Sequence, residues 1–167
     1  MRVFLEETKE PSLCLLQENL LLIRRTVGWT AEEFGERIGV TRQTINNLEA
    51  KRNKLTKMQY IAIRAILDAE MAQSPDDTEM LRYLLDVLID NPDKYDKKDR
   101  EELLEKANML TPSILAGTTS RKAVSKELIG IAAGLGIVAT SLPVLPVVGA
   151  GVVAGASAWL AKALKEK

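Results

Sequence analysis

The sequence predicts an all-α fold: an N-terminal bundle of four to five helices, a middle helical pair, and a C-terminal apolar, Gly-rich helical hairpin. In the first two parts, apolar residues recur at helical spacing. Helix-capping residues and glycines stand between these apolar stretches. The last part has no charged residue from Leu128 to Ala161, and Pro143 and Pro146 divide it into two apolar arms.

Apolar spacing and capping residues define the first two helices. The first helix is predicted by apolar residues at helical spacing: Leu16, Leu20, Ile23 and Val27. Thr30 and Glu33 have the spacing of a capping box, in which both side chains accept hydrogen bonds from free backbone N–H groups, and they begin the second helix. Gly39 is expected to end that helix, because glycine adopts the left-handed conformation easily.

Two further threonines mark the next helix starts. Thr41 can cap a third helix that reaches about Glu49. Thr56 can cap a fourth helix that runs from Lys57 to about Met71. Because a threonine hydroxyl accepts a hydrogen bond from the first turn, local chemistry predicts both starts without reference to packing.

The middle of the chain predicts a helical pair followed by a linker. Ser74 and Pro75 are expected to cap and begin a fifth helix. Its apolar residues lie at helical spacing: Leu81, Leu84, Leu85 and Leu88. Asn91–Asp93 breaks this helix, and a sixth follows over roughly Lys98–Leu110. The stretch 111–120, which consists mainly of small and polar residues, is the best candidate for a domain boundary. The predicted parts are the helix-turn-helix bundle 1–72, the acidic helical pair 73–110, the linker 111–127 and the apolar hairpin 128–167.

Residues 30–49 place two short helices around a tight turn, and each position has a physical reason. Phe34 and Ile38 lie four residues apart and face inward. Gly35 lets the two helices approach closely, and Gly39 forms the turn. Three apolar residues fill the corner and anchor the following helix from beneath: Val40, Ile45 and Leu48.

The polar side chains that follow the turn predict a DNA-binding surface. Those on or near the outer face of the third helix are Arg42, Gln43, Thr44, Asn46 and Asn47, with Thr41 at its cap. Gln and Asn can each make two hydrogen bonds to adenine, and Arg can do the same with guanine. The segment after the helix supplies positive charge for the phosphate backbone through Lys51, Arg52 and Lys54. The predicted partner is therefore double-stranded DNA.

From about Leu20 to Leu67 the chain resembles the lambda-repressor/Cro-like (XRE) helix-turn-helix family, and the run TAEEFGERIGVTRQTINNLE contains the matching motif. In that family the third helix enters the major groove. The resemblance therefore implies contact with bases or phosphates for four residues here: Arg42, Gln43, Thr44 and Asn47. The family often has a phosphate-contacting glutamine just after the cap of the second helix, where this chain has Ala31.

The composition argues against an enzyme. The chain has no histidine, which removes the commonest general base and the commonest zinc ligand. It has no Gly-rich phosphate loop after a strand and no paired carboxylates in an apolar setting. The single cysteine excludes an internal disulfide and fits a cytosolic protein. We expect no catalytic residues, no metal and no cofactor.

The apolar tail must be covered, because a soluble monomer tolerates only a few hundred Å² of contiguous apolar surface. Glycines four apart on each arm would let helices approach closely, in lipid or in a protein interface. At 1.5 Å per residue the two arms are about 22 and about 27 Å long, short of the roughly 30 Å of a bilayer core. Three covers stay open: lipid, a second copy or the rest of this chain, and a separate protein. The predicted contact residues are Gly130, Gly134, Gly151, Val152, Gly155 and Trp159.

These features together predict a bacterial or phage-type, sequence-specific transcriptional regulator, such as a repressor, that binds DNA as a dimer or higher oligomer. The tail would serve oligomerisation or membrane tethering. The alternative is a membrane-active, pore-forming or toxin-like effector whose helix-turn-helix senses a signal or regulates its own gene. The expected location is the cytoplasm, or the inner face of the cytoplasmic membrane if the tail contacts lipid.

Overall fold

Helices make up the described part of the chain, as the sequence predicts. The computed structural model describes residues 11–117, 120–134 and 159–165, and no strand occurs in these ranges. The α-helices are α1 (Pro11–Glu18), α2 (Leu20–Val27), α3 (Ala31–Ile38), α4 (Arg42–Glu49), α5 (Lys57–Gln73), α6 (Glu79–Leu85), α7 (Lys97–Leu110), α8 (Pro112–Leu115) and α9 (Arg121–Gly134). Residues 159–165 are also helical and form α10. A π-helical turn (Asp86–Asp90) extends α6, and a 3-10 turn (Pro92–Lys94) precedes α7.

The capping residues end and begin the helices of the N-terminal bundle as predicted. Thr30 Oγ1 accepts a hydrogen bond from the Glu33 N–H (3.2 Å), and a Glu33 carboxylate oxygen accepts one from the Thr30 N–H (2.7 Å). The bond from the Thr30 N–H holds the pKa of the Glu33 carboxyl below its ordinary value. Gly39 ends α3 in the left-handed region at φ 78°. Thr56 and Gln59 form a second capping box at the start of α5.

The core of the bundle is apolar and closed. Helices α1 to α5 contribute the residues that are fully buried at its centre: Leu16, Leu20, Ile23, Phe34, Ile45, Leu48, Ile63 and Leu67. The predicted inward-facing residue Phe34 and the predicted anchors Ile45 and Leu48 are all in this set. Burying one such side chain contributes about 1.5–3 kcal/mol, so these residues fix how α3 and α4 sit on the other helices.

The fifth predicted helix differs at its start. The segment Pro75–Asp77 forms a turn rather than the first turn of a helix, and α6 begins at Glu79. Thr78 precedes α6 without capping it by its side chain, because its hydroxyl donates to the Ser74 carbonyl oxygen (2.7 Å). A proline permits a helix to start at that residue but does not require it. Here the Thr78–Ser74 hydrogen bond closes a turn before the helix begins.

The C-terminal residues that the structure describes pack against the rest of the chain. Two helices lie inside the predicted linker region, α8 and the first part of α9. Helix α9 packs on α6 and α7 through three buried residues: Val124, Leu128 and Ala132. In α10, Trp159 is 8% exposed and contacts α5. Within the described ranges, no helix is both long enough and apolar enough to cross a membrane.

Candidate nucleic-acid interface

The turn between α3 and α4 is tight because two glycines permit it. A Cβ on Gly35 would lie 2.6 Å from the Val40 carbonyl oxygen, closer than carbon and oxygen can approach. Gly35 therefore allows α3 to lie against the backbone of the turn that leads into α4. Thr41 then begins α4, and its hydroxyl oxygen accepts a hydrogen bond from the Thr44 N–H (3.2 Å). The turn thus fixes the angle between α3 and α4.

Helix α4 has one buried face and one polar face. Ile45 and Leu48 lie in the core, whereas Arg42 and Gln43 are exposed at the first turn. The other predicted DNA contacts on this helix are half-buried: Thr44, Asn46 and Asn47. The structure therefore places Arg42 and Gln43 farthest into solvent, at the end of α4 that a major groove would receive.

The polar face of α4 is joined by hydrogen bonds to the segment that follows it. The Gln43 side-chain amide donates to Asn47 Oδ1 (3.1 Å), one helical turn away. An Arg52 guanidinium nitrogen lies 3.5 Å from the same Asn47 oxygen, and the Arg52 N–H donates to the Asn47 carbonyl (2.9 Å). Asn47 therefore connects the base-reading candidate Gln43 with the basic segment.

We call residues 51–54 the wing, and all four are exposed. Lys51 has a left-handed backbone, with φ 58°, which lysine rarely adopts. This conformation reverses the chain directly after α4, and the Lys51 N–H donates to the Leu48 carbonyl (3.1 Å). Of the predicted phosphate contacts, Lys51 and Arg52 are thereby held at the end of α4, where Arg52 reaches Asn47, and Lys54 follows two residues later.

A buried ion pair, which the sequence analysis missed, holds α4 on α2. Arg24 Nε lies 2.5 Å from Glu49 Oε1, and Arg24 Nη2 lies 3.1 Å from Glu49 Oε2. Both side chains are about 10% exposed. Arg24 Nη1 also donates to the Trp29 carbonyl (2.9 Å), so the guanidinium donates to three oxygen atoms of two groups. Glu49 is the last residue of α4, and the pair fixes that end of the helix.

A second missed residue, Gln17 of α1, contacts the same end of α4. Its side-chain amide donates to the Leu48 carbonyl (3.1 Å) and to the Asn53 carbonyl (2.6 Å). Its side-chain oxygen accepts from the Leu55 N–H (3.0 Å). Neither Gln17 nor Arg24 stands in a sequence pattern that indicates its contact with α4 or the wing, because Glu49 lies 25 positions from Arg24 and the partners of Gln17 lie 31 to 38 positions from it.

The predicted tail contacts have different environments. Gly130 and Gly134 are exposed, and apart from chain neighbours and the backbone of α9 itself, no atom of the described residues lies within 4 Å of a Cβ built on either. Trp159 is buried: its indole N–H donates to Asp68 Oδ2 (2.5 Å), and its ring meets Tyr60 edge to face at 6.1 Å. Gly151, Val152 and Gly155 lie outside the described residues. The predicted glycine-lined contact stays a prediction.

The surroundings of Trp159 include a buried arginine that is paired with a partly exposed aspartate. Arg64 is 3% exposed, makes two hydrogen bonds to Asp90 (2.8 and 2.9 Å), and lies 5.3 Å from the Trp159 ring centre. Burial raises the pKa of the Asp68 carboxyl, and the hydrogen bond from Trp159 opposes that rise. In the part of the chain that the structure describes, no group of His, Cys, Asp or Glu side chains could hold a metal ion.

Comparison with known proteins identifies the N-terminal bundle. Residues 20–72 match the family model described as Helix-turn-helix. The match covers α2 to α5 and confirms the resemblance to the lambda-repressor/Cro-like family that the motif predicted. This part of the chain is a helix-turn-helix domain of a DNA-binding type. Comparisons with curated proteins and with solved structures gave no match.

Proposed function

We propose that the protein is a sequence-specific DNA-binding transcriptional regulator in which α4 enters the major groove. The proposal starts from the match of residues 20–72 to the helix-turn-helix family. One observation carries this proposal: hydrogen bonds through Asn47 join Gln43 in the exposed first turn of α4 to Arg52 in the exposed basic wing. Base-reading side chains and phosphate-binding charges are both needed for specific binding, and this surface offers both.

The residues divide by their chemistry. Gln43 can make two hydrogen bonds to adenine, and Arg42 can make two to guanine. Binding would require Gln43 to exchange its hydrogen bond with Asn47 for bonds to a base edge. The wing residues Lys51, Arg52 and Lys54 follow α4 rather than lie in its first turn, and their positive charges would bind phosphates. Sequence preference is therefore assigned to the first turn of α4, and salt-dependent affinity to the wing.

Gln43→Ala tests this assignment on a duplex selected by the protein from a random pool. We expect it to lose about 1–3 kcal/mol of specific binding, while binding to unrelated duplexes stays near that of the wild type. Gln73→Ala is the matched control, because Gln73 is an exposed glutamine at the last residue of α5. The measurement is competition binding at fixed salt concentration. If Gln43→Ala keeps the preference for the selected duplex, α4 is not the base-reading helix.

We further propose that the protein binds DNA as a dimer on a two-fold repeat, as helix-turn-helix regulators do, with half-sites about one helical turn (34–36 Å) apart. The selected duplexes should then contain two inverted copies of one short sequence at this spacing. Light scattering should give a mass of two chains on such a duplex. A single half-site together with a mass of one chain, with and without DNA, would contradict dimeric binding.

For the tail, we propose that its described ends are covered by this chain itself. The burial of Val124, Leu128 and Ala132 against α6 and α7 supports this proposal at one end. The contact between Trp159 and α5 supports it at the other end. Since α5 belongs to the helix-turn-helix domain, the tail would then stabilise that domain directly, and lipid would not be needed to cover these residues.

A further inference from the structure

We propose that α1, which lies before the matched helix-turn-helix region, positions the wing for phosphate contact through the side chain of Gln17. The proposal rests on the DNA-binding function proposed above and assigns a residue to it. Gln17 would not contact DNA. It would act on Lys51–Lys54 by fixing the backbone that presents them.

The geometry of Gln17 supports this role. One side-chain amide makes three hydrogen bonds to backbone groups, and these groups lie on both sides of the wing. Before the wing it binds the Leu48 carbonyl at the end of α4; within and after the wing it binds the Asn53 carbonyl and the Leu55 N–H. Both polar atoms of the amide are used, the nitrogen as donor and the oxygen as acceptor. The two ends of the wing are therefore connected through one side chain.

The wing needs such a connection because of its backbone. Residues 51–56 contain no helix or strand, so hydrogen bonds outside regular structure must hold their path. Lys51 has φ 58°, a conformation that persists only when surrounding contacts fix it. The Lys51 and Arg52 N–H groups bond back to the end of α4. Beyond Arg52, the Gln17 bonds to Asn53 and Leu55 continue this attachment.

The backbone of Gln17 is itself held firmly. Its neighbour Leu16 is fully buried, and so is Leu20 at the start of α2. Segments with buried apolar contacts open less readily than poorly packed ones, so a side chain of α1 is a firm point of attachment. α1 therefore provides a rigid support that the matched region, residues 20–72, does not contain.

The test compares Gln17→Ala with Asn19→Ala. Asn19, which lies between α1 and α2, is a matched control, since its side-chain amide donates to the Leu15 carbonyl four residues earlier (2.8 Å). For Gln17→Ala, the slope of log Kd against log salt concentration should fall by about 1, the change expected when one phosphate contact is lost. Affinity should fall by the same factor for the selected and for unrelated duplexes, because the first turn of α4 is unchanged. Asn19→Ala should keep the wild-type slope.

A second variant separates the two halves of the amide. Gln17→Glu keeps the acceptor for the Leu55 N–H but places a carboxylate against the Leu48 and Asn53 carbonyls. Hydrogen exchange of the Leu55 amide, measured without DNA, should therefore accelerate in Gln17→Ala and stay slow in Gln17→Glu. The salt slope should fall in both variants. The hydrogen-exchange measurement needs no DNA, so it tests the Gln17 hydrogen bonds even if the wild type binds no duplex and the proposed function fails.

Three outcomes would overturn the positioning role. The first is a wild-type salt slope in Gln17→Ala with accelerated exchange at Leu55, which would make the hydrogen bonds purely structural. The second is an equal fall of the slope in Asn19→Ala, which would show a general effect of altering this part of the chain. The third is a changed base preference in Gln17→Ala, which would place the effect on α4 rather than on the wing.

Discussion

Arg24→Ala should lower the free energy of unfolding by about 3–5 kcal/mol, because it would leave the Glu49 carboxylate buried without its partner. Arg24 is 8% exposed and makes two hydrogen bonds to Glu49 and one to the Trp29 carbonyl. Urea denaturation followed by circular dichroism measures the loss. Since Glu49 ends α4, DNA binding should weaken as well.

Two controls show whether burial is the cause. The double variant Arg24→Met/Glu49→Leu removes both charges and should recover most of the lost stability, because apolar residues of similar volume can replace a buried pair. Lys97→Ala breaks an exposed pair in which the side chains of Lys97 and Glu101 are 81% and 67% exposed, and should change stability by less than about 1 kcal/mol. If Arg24→Ala costs no more than Lys97→Ala, the pair does not hold α4 in place.

Local chemistry explains which parts of the fold the sequence could predict. Helix starts at Thr30, Thr41 and Thr56 depend on hydrogen bonds within four residues, so the sequence contains both partners. Gly35 and Gly39 are explained by sterics within the same short motif. The polar face of α4 follows from helical spacing alone. These features were therefore predicted at the correct residues.

The missed residues depend on contacts between distant segments. Nothing near Arg24 indicates that its partner is Glu49, and a half-buried glutamine in α1 has many possible roles. Only the packing of α1 and α2 against α4 brings these groups together. The start of α6 was misplaced for a different reason. A Ser-Pro pair is compatible with a turn as well as with a helix start, and the Thr78–Ser74 hydrogen bond selects the turn.

The apolar tail shows the limit of composition. An uncharged, Gly-rich run is expected both in lipid and in a protein interior, because both environments exclude charge. A hydrogen bond from one polar atom to a protein side chain distinguishes a protein interior from lipid better than composition does. The Trp159 indole N–H bonds to Asp68 of α5, which gives this end of the tail a specific partner in its own chain. Periodicity could not predict that partner, since 91 positions separate the two residues.

Trp159→Ala should therefore destabilise the helix-turn-helix domain, although residue 159 lies far outside it in sequence. Truncating a buried tryptophan costs about 3–5 kcal/mol when the site stays closed. The loss has an upper limit, because α10 can undock from α5 and expose Tyr60 to water instead. Thermal denaturation measures the effect. Leu164→Ala is the matched control on α10, since Leu164 is 64% exposed and should cost less than about 0.5 kcal/mol. Equal effects of the two variants would show that the contact of Trp159 with α5 does not stabilise the domain.

Trp159→Phe separates the hydrogen bond from the ring, and its effect should depend on pH. Burial raises the pKa of Asp68 above its ordinary value of 3.8, so the protonated carboxyl favours folding and this contribution is lost as pH rises through the folded-state pKa. The Trp159 N–H stabilises the ionised form and opposes this loss. Phenylalanine keeps the ring beside Tyr60 but donates no hydrogen bond, so the pKa of Asp68 should rise further. The stability difference between wild type and Trp159→Phe should then be small at acid pH and larger at neutral pH. A difference that stays constant across this range would mean that the Trp159–Asp68 hydrogen bond does not hold α10 on the domain.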